Sequence, residues 1–574
     1  MTIAIAQLPV KPGAPADNTE TMLSFIAQAR TAGAELIVFP ELAVSGLLLG
    51  SLLQNAAFLR ECEDCGRRIA AAAQGIAVIF GCPVQQDGAV TNGVFLARTG
   101  ELTPLHPAVG ESYIAGAYNC FAPAAPARTF TLELAEGRRR IGLTLGDWRG
   151  RELPFAADDV DLLIDLANKP LRPDDPIVPA ALAGRPLLSV NSFGLQNSGK
   201  ACYLMGGGSF YQDGQGRLTA RAPQLAEGLF FWNSRGGEQA TALAGDKLLG
   251  EALVCGVREF MTSIRSSRAV IGISGGIDSA LAACIYAKAL GPDNVYLISM
   301  PSRFNSSQTR NLAEGMARGL HTNYAVMPIQ KGVDDLMAAF AEYPVQTGDG
   351  RREVLPFSDS VKENVQARER CRILAAAAAA VGGVFTCNGN KAELSVGYAT
   401  FYGDLAGAFA AQADLWKHQV YRAASYFQSL YPDAPLDAIA AIRPSAELSD
   451  KQDVTKGLGD PLIYAYHDHL LAYWMEAGAD LYDVLRHYRQ GDLEQAIGCR
   501  AGLVAENFAD TPAFITDLEY WWRMYLGTGI AKRIQSPPLL ALSAHPYGEE
   551  KPQSQGAVYH SADYRRLKES LLRA

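Results

Sequence analysis

An α/β architecture split over two domains is expected from three features of the sequence. Short apolar runs alternate with helix-period patterns along almost the whole chain, as layered sheets and helices require. The 574 residues exceed what a single hydrophobic core holds, because cores stop growing near ~250–300 residues. An apolar stretch ending at Ile273 runs into a Ser-Gly-Gly turn that opens a helix, an arrangement that suits anion binding.

The elements follow in order. Ile3–Ala6 is a strand; the segment lacks a basic leader and a long apolar run, so it does not read as a signal peptide. Asn18–Ala32 is a helix, Leu36–Phe39 a strand, Arg60–Gln74 a helix, and Ile76–Cys82 and Gly93–Ala97 are strands. Arg140–Leu145, Leu162–Leu166 and Leu187–Asn191 continue the strand series. Asp213-Gly214, just after Phe210-Tyr211-Gln212, is hairpin chemistry. A linker is expected at Ser234–Gly245, which divides the chain into domains 1–245 and 246–574. Beyond it come a helix at Lys247–Ser263 and a strand at Ala269–Ile273. Further strands are expected at Val295–Met300 and Val384–Cys387, and helices at Ser279–Ala289, Thr309–Gly319 and Ser360–Val381. Pro461–Gln495 reads as helical and aromatic-rich, and the tail after His545 is polar.

Composition excludes several classes. Hydrophobic residues at 48% and charged residues at 19% exclude a disordered chain. The net charge is −9, and no basic run exceeds Arg138-Arg139-Arg140, so neither a nucleic-acid backbone nor an anionic membrane is an expected partner. No apolar stretch approaches the ~18 residues of a membrane-crossing helix. The ten cysteines are scattered, and Cys62-x-x-Cys65 has no second pair to complete a zinc site. Free thiols in a reducing cytoplasm are the expectation.

The strongest chemical signal is Ile271-Gly272-Ile273-Ser274-Gly275-Gly276-Ile277-Asp278-Ser279. Such a turn aims backbone N–H groups and the positive helix end at an anion, and its glycines let the backbone approach phosphate closely. Ser274 and Ser279 can add hydroxyl donors, and Asp278 can hold magnesium against polyphosphate. The segment is not a Walker loop, because its spacing is short and no lysine follows. It resembles the SGGxDS loop of the ATP pyrophosphatase superfamily, whose members cleave ATP between the α and β phosphates.

Further motifs narrow the resemblance. They are Ser299-Met300-Pro301-Ser302, Lys362-Glu363-Asn364 with Arg368-Glu369-Arg370, and Asn388-Gly389-Asn390-Lys391-Ala392-Glu393. Then come Tyr402-Gly403-Asp404, Asp414-Leu415-Trp416-Lys417, Pro444-Ser445-Ala446-Glu447-Leu448 and Ala531-Lys532-Arg533. In this order they resemble the NAD synthetases over roughly residues 247–545, a Rossmann-like parallel-sheet ATP pyrophosphatase domain. The resemblance implies that Asp278 and Glu393 hold Mg2+, and that Ser274, Gly275, Gly276, Asp278, Ser279, Arg368 and Lys417 bind ATP, the co-substrate. Asn364, Asp404, Lys391 and Lys532 would contact the acid substrate, deamido-NAD. Ser445 and Glu447 would lie on a loop that closes over the reaction, and Asp278, Lys417 and Ser445 would act in catalysis. The implied chemistry is adenylation of the nicotinate carboxylate, loss of pyrophosphate, and attack by ammonia to give the amide and AMP. The family also implies a homo-oligomer.

The first ~245 residues resemble the nitrilase-like amidohydrolases, an α-β-β-α sandwich that serves as the glutaminase half of two-domain NAD synthetases. The resemblance rests on Val38-Phe39-Pro40-Glu41-Leu42, Val190-Asn191 and Gly207-Gly208-Ser209. That family works with a Glu base, a Lys and a Cys nucleophile. Glu41 matches the base. Glu111 stands about where the Lys belongs. Registering on Asp147 puts Leu145 at the Cys position, and a slip of one residue puts Thr144 or Gly146 there; none of the three carries sulfur. The expectation is a degenerate glutaminase and an amide nitrogen drawn from free ammonia. Three other readings stand beside it: a paralogue that amidates another pyridine acid, glutamine use through a relocated nucleophile such as Cys120 or Cys82, and a non-catalytic scaffold.

Overall fold

The computed structural model describes residues 2–86, 88–148, 151–156, 159–176, 185–233, 236–452, 454–456, 458–548 and 558–573. The chain forms two compact units, Met1–Ala252 and Leu253–Ala574. Their boundary falls inside the helix Gly245–Ser263 rather than in the glycine-rich segment before it. Ser234 and Arg235, at the head of the expected linker, and residues 549–557 of the polar tail lie outside the described residues.

In the first unit, β1 (Thr2–Gln7), α1 (Pro15–Thr31), β2 (Leu36–Val38), α2 (Ala56–Ala72) and β3 (Ala77–Gln86) alternate as expected. The parallel triplet β1-β2-β3 continues antiparallel through β4 (Ala89–Arg98) and β5 (Glu101–Leu105). A second sheet is built on β6 (Ala108–Val109), β7 (Phe130–Leu134), β8 (Gly137–Leu145), β9 (Leu162–Ala167) and β10 (Leu187–Asn191). The hairpin β11 (Phe193–Ser198) and β12 (Ala201–Gly206) follows. β13 (Phe210–Gln212) and β14 (Leu218–Arg221) then form the hairpin announced by Asp213-Gly214. β15 (Gly228–Asn233) and β16 (Gly236–Gly237) return to the first sheet beside β1.

The alternation of strand residues explains the layering. Ile3, Ile5, Leu36, Val38 and Ile79 face Ile141, Leu143, Leu145, Ile164 and Leu166 in a core between the sheets. Their neighbours Ala4, Ala6, Ile37, Phe39, Val78 and Phe80 pack on Met22, Ile26, Leu59 and Ile69 of α1 and α2. On the other face of the second sheet Leu163, Leu187 and Phe210 pack with Phe155 and Val160.

The second unit has one parallel sheet, ordered β19-β18-β17-β22. Its elements are α3 (Gly245–Ser263), β17 (Ala269–Gly272), α4 (Ile277–Leu290), β18 (Val295–Ser299), α5 (Ser307–Leu320), β19 (Asn323–Val326) and α6 (Gln330–Glu342). The small ladder β20 (Val345–Gln346) and β21 (Arg352–Glu353) comes next, then α7 (Asp359–Val381), β22 (Val384–Phe385), α8 (Lys391–Val396) and α9 (Lys417–Leu430). Parallel pairing needs crossovers, and α4, α5 and α7 supply them. The C-terminal ends of β17, β18 and β22 therefore gather where the Ser-Gly-Gly turn lies, the usual ligand side of an open parallel sheet. Pro461–Gln495 is helical over Tyr464–Glu476, Leu481–Gln490 and Leu493–Ile497. Among the described residues no helix is long and apolar enough to cross a membrane.

Candidate functional site

The phosphate-type turn connects β17 to α4. Gly275 has φ +86°, and a Cβ there would run into the carbonyl of Thr309 in the first turn of α5, so only glycine fits. Gly276 is the N-cap of α4 and offers no side chain to its first-turn N–H groups. Those donors stay available to an anion. The two serines brace the turn: Ser279 Oγ accepts from Ser274 N–H (3.2 Å) and donates to the Gly276 carbonyl (3.0 Å).

Two cavities meet at this turn. One, of about 260 Å³, has an apolar side of Ile273, Met300, Leu374 and Phe385 and a polar side with Arg370 and Asp404. The other, of about 170 Å³, is lined by Ser274–Ser279, Thr309, Lys417, Ser445, Glu447 and Asp460. Asp278 and Glu393 line both.

A charged centre stands where they join. The buried Lys417 ammonium pairs with Asp278 Oδ2 and lies 4.0 Å from Glu393 Oε1. It sits 4.7 Å above the Tyr464 ring. Burial pulls the ammonium down, but Asp278 and Glu393 outweigh it and hold the group above its ordinary range. Glu393 is pushed up to about 8, first by burial and then by the negative charge of Asp278. Asn390 fixes the geometry. Its side chain caps α8 by accepting from Glu393 N–H (3.1 Å), and its Nδ2 donates to Asp278 Oδ1 (3.0 Å). Tyr464 OH donates to both Glu393 Oε1 (3.2 Å) and Asp460 Oδ2 (3.3 Å).

The first unit holds a second candidate site around Glu41, which is 1% exposed. Its Oε1 accepts from Asn92 Nδ2 (2.6 Å) and Tyr118 OH (2.6 Å), while Oε2 is buried with no partner among the described residues. Burial pushes the carboxyl up to about 7. Asp165, held by Thr144 Oγ1 (3.0 Å) and Ser189 Oγ (2.8 Å), is likewise pushed up by burial, to about 6. Glu111 is not beside Glu41: its side chain is exposed and pairs with Arg151. Leu145 is not there either, because its side chain belongs to the core between the sheets. Gly146, with φ +76°, turns toward the site. A Cβ there would lie 3.2 Å from Tyr118 OH and would run into the Glu111 carbonyl. Cys82 Sγ donates to the Cys62 carbonyl (3.5 Å) in the core under α2, and Cys120 is exposed.

The raised Glu41 has a consequence for stability. The native carboxyl keeps its proton up to about pH 7, whereas the unfolded chain releases it near 4.5. Stability of the first unit therefore falls as pH rises through that window and levels off above it. Glu41→Gln cannot ionise, so its stability relative to wild type should improve by roughly 2–4 kcal/mol between pH 4.5 and pH 8. Chemical denaturation of both proteins at the two pH values measures this; a constant gap would mean that Glu41 is already ionised in the native state.

Residues 249–495 match the NAD synthase family and residues 2–112 the carbon-nitrogen hydrolase family. A glutamine-dependent NAD(+) synthetase of Synechocystis sp. is 30% identical over 503 residues, covering 80% of this chain and 86% of that protein. The chain belongs to the NAD synthetase family. The similarity also runs the full length of a glutamine-dependent NAD(+) synthetase of Xylella fastidiosa, at 27% identity over 96% of this chain and 97% of that one. Two solved structures share the fold. A glutamine-dependent NAD(+) synthetase from Cytophaga hutchinsonii has a TM-score of 0.75 at 16% identity, covering 100% of this chain and 99% of that one. A glutamine-dependent NAD+ synthetase from Acinetobacter baumannii, in complex with adenosine diphosphate, has a TM-score of 0.68 at 22% identity, covering 96% and 97%.

Within this NAD synthetase family member the expected residues sort into two groups. Ser274, Gly275, Gly276, Asp278, Ser279, Glu393, Asp404, Lys417 and Ser445 line the joined cavities. Arg368, Asn364, Lys391 and Lys532 do not line them. Arg368 is exposed and donates from Nε to the Phe401 carbonyl (3.1 Å). Asn364 Oδ1 accepts from Thr400 Oγ1 (2.8 Å), next to Asp404, which accepts from Thr400 N–H (2.6 Å). Lys532 Nζ is held by the carbonyls of Gly397 (2.7 Å) and Ala399. The Lys391 ammonium is fully buried, 2.9 Å from Asp414 Oδ1 and 2.8 Å from Ser543 Oγ. Arg370, Asn390, Asp460 and Tyr464 were not among the expected site residues. Only Arg370 and Asn390 had a signal, each lying inside a quoted motif; Asp460 and Tyr464 enter the site through tertiary folding.

Proposed function

We propose that the second unit adenylates the nicotinate carboxylate of deamido-NAD with ATP and passes it to ammonia, while the first unit does not split glutamine. One observation carries the adenylation reading: the Lys417–Asp278–Glu393 centre stands at the Ser-Gly-Gly turn, between an apolar cavity and a polar one. The apolar cavity suits a nucleoside. The polar one, with the first-turn N–H groups of α4, suits the leaving pyrophosphate.

A carboxylate oxygen attacks the α-phosphorus, and the bond to the β-phosphate oxygen breaks. Lys417 and the turn take up the charge that develops on the pyrophosphate. The nitrogen of ammonia then attacks the acyl carbon, the bond to AMP breaks, and a proton leaves the nitrogen. No covalent intermediate on the protein is needed, so catalysis is positioning and charge stabilisation. Asp278 and Glu393 fit a magnesium ion: two carboxylates line both cavities at the turn and share one lysine, a hard oxygen donor set with negative charge to spare. Bound there with phosphate oxygens, the ion would neutralise polyphosphate charge.

A second reading, glutamine as the nitrogen source, is favoured by the names of the relatives and by the intact Glu41. Against it stand the sulfur-free strand end Thr144–Gly146 and the hydrogen bonds that Glu41 accepts from an amide and a phenol. Ten free cysteines fit a reducing cytoplasm.

The test is direct. Protein supplied with ATP, magnesium, ammonium and deamido-NAD should yield NAD, AMP and pyrophosphate in equal amounts. Turnover with another pyridine acid and none with deamido-NAD would move the assignment to a paralogous amide ligase.

A further inference from the structure

Glu447 is an outlier on three counts. It is a non-glycine residue in the left-handed region, with φ +46°. It is 4% exposed. It is also a carboxylate in the wall of the cavity assigned to an anion. Strained backbone at a buried polar residue persists only when its surroundings over-determine it, and here they do. Glu447 Oε1 accepts from Ser306 N–H (3.2 Å), and Oε2 accepts from Asn305 Nδ2 (3.2 Å) and Thr309 Oγ1 (2.8 Å). Its own N–H donates to Ser445 Oγ (3.2 Å), and Ser445 Oγ donates to the Gln452 carbonyl (2.6 Å).

These contacts have a direction. Ser306 is the N-cap of the fourteen-residue α5, so the carboxylate is spent on the positive end of that helix and does not oppose an incoming phosphate as a free charge. Thr309, which Glu447 holds by its hydroxyl, is the residue whose carbonyl backs Gly275. A continuous path thus runs from the segment 444–448 through Glu447 and Thr309 to the turn that receives pyrophosphate. The apolar cavity touches this path at Asn305, Ala446 and Leu448, but its apolar side, at Ile273, Leu374 and Phe385, makes none of these bonds.

We infer that Glu447 is a positioning residue for the pyrophosphate half of the site: it clamps segment 444–448 to the first turn of α5 and, through Thr309, holds Gly275 in its anion-receiving conformation. The inference rests on the adenylation reading for the identity of the anion. Glu447→Gln keeps the size of the side chain but turns an acceptor oxygen into a donor facing donors. Thr309→Val removes only the hydroxyl link at nearly constant volume.

The experiment is calorimetric titration of inorganic pyrophosphate with magnesium, and separately of AMP, into the full-length wild type and both variants. Glu447→Gln should bind pyrophosphate about tenfold or more weakly, and Thr309→Val should weaken it severalfold, as expected for lost bonds to a charged group. AMP affinity should fall clearly less than pyrophosphate affinity, because the apolar side of its cavity, at Ile273, Leu374 and Phe385, makes none of these bonds; a merely structural lesion would move both ligands together. If wild type binds pyrophosphate and both variants bind it within twofold of wild type, or if AMP falls in parallel, the inference is overturned. If wild type does not bind pyrophosphate, the adenylation reading itself is overturned.

Discussion

With glutamine as its only nitrogen source, the protein should form NAD at least about a thousandfold more slowly than with ammonium, the scale of losing a catalytic nucleophile. The reason is geometric as much as chemical. Glu41 is buried and hydrogen-bonded to Asn92 and Tyr118, with no thiol among its partners. Leu145 faces the core between the sheets, so Leu145→Cys would bury a thiol away from Glu41 and restore nothing. Gly146 is the position from which a side chain would approach the Tyr118 hydroxyl. Gly146→Cys should still fail alone, because the Glu111 carbonyl occupies the space of its Cβ and Gly146 relies on a positive φ. Side-by-side rates with the two nitrogen donors, and a search for a glutamyl thioester, check the claim. Comparable rates, or an adduct on Cys120 or Cys82, would show that the first unit has kept its activity by another route.

Lys417→Ala should lower AMP formation by about two to three orders of magnitude, the usual cost of deleting one preorganised charge partner of a leaving group. The lysine is buried between two carboxylates, so its removal also leaves Asp278 and Glu393 facing each other uncompensated. Asp278→Asn should be of similar size for a different reason. It keeps the contact from Asn390 Nδ2 but loses the charge that pairs with Lys417. Single-turnover measurement of AMP in the presence of deamido-NAD reads both. Rates near wild type in either variant would remove that residue from the reacting centre.

The layered order of strands and helices was legible because the strands buried on both faces read as continuous apolar runs, and Leu187–Asn191 coincides with its expected limits. Boundaries shifted where capping or pairing decides. α1 starts at Pro15, ahead of Asn18, since proline suits the first helical turn. The Gly93–Ala97 strand lengthens to Ala89–Arg98 because β3 pairs with it over its whole length. The phosphate-type turn was legible because its geometry is local. Asp460 and Tyr464 were not, since they reach Glu393 only through folding of a distant helix and loop. The direction of the Glu111 side chain, exposed and paired with Arg151, was likewise not legible from its place in the sequence.

The buried pair of Lys391 and Asp414 carries a warning for anyone mapping this protein by mutation. Alanine at 391 would strand Asp414 as a lone charge in the interior, a defect on the order of 3–5 kcal/mol. The same lysine opens the short helix that presents Glu393. Such a variant would look like a dead ligase in every assay, although the lesion would be a collapsed floor beneath the reacting groups. Motif membership and contact with the reaction are separate properties here, and only a measurement of folding beside activity tells them apart.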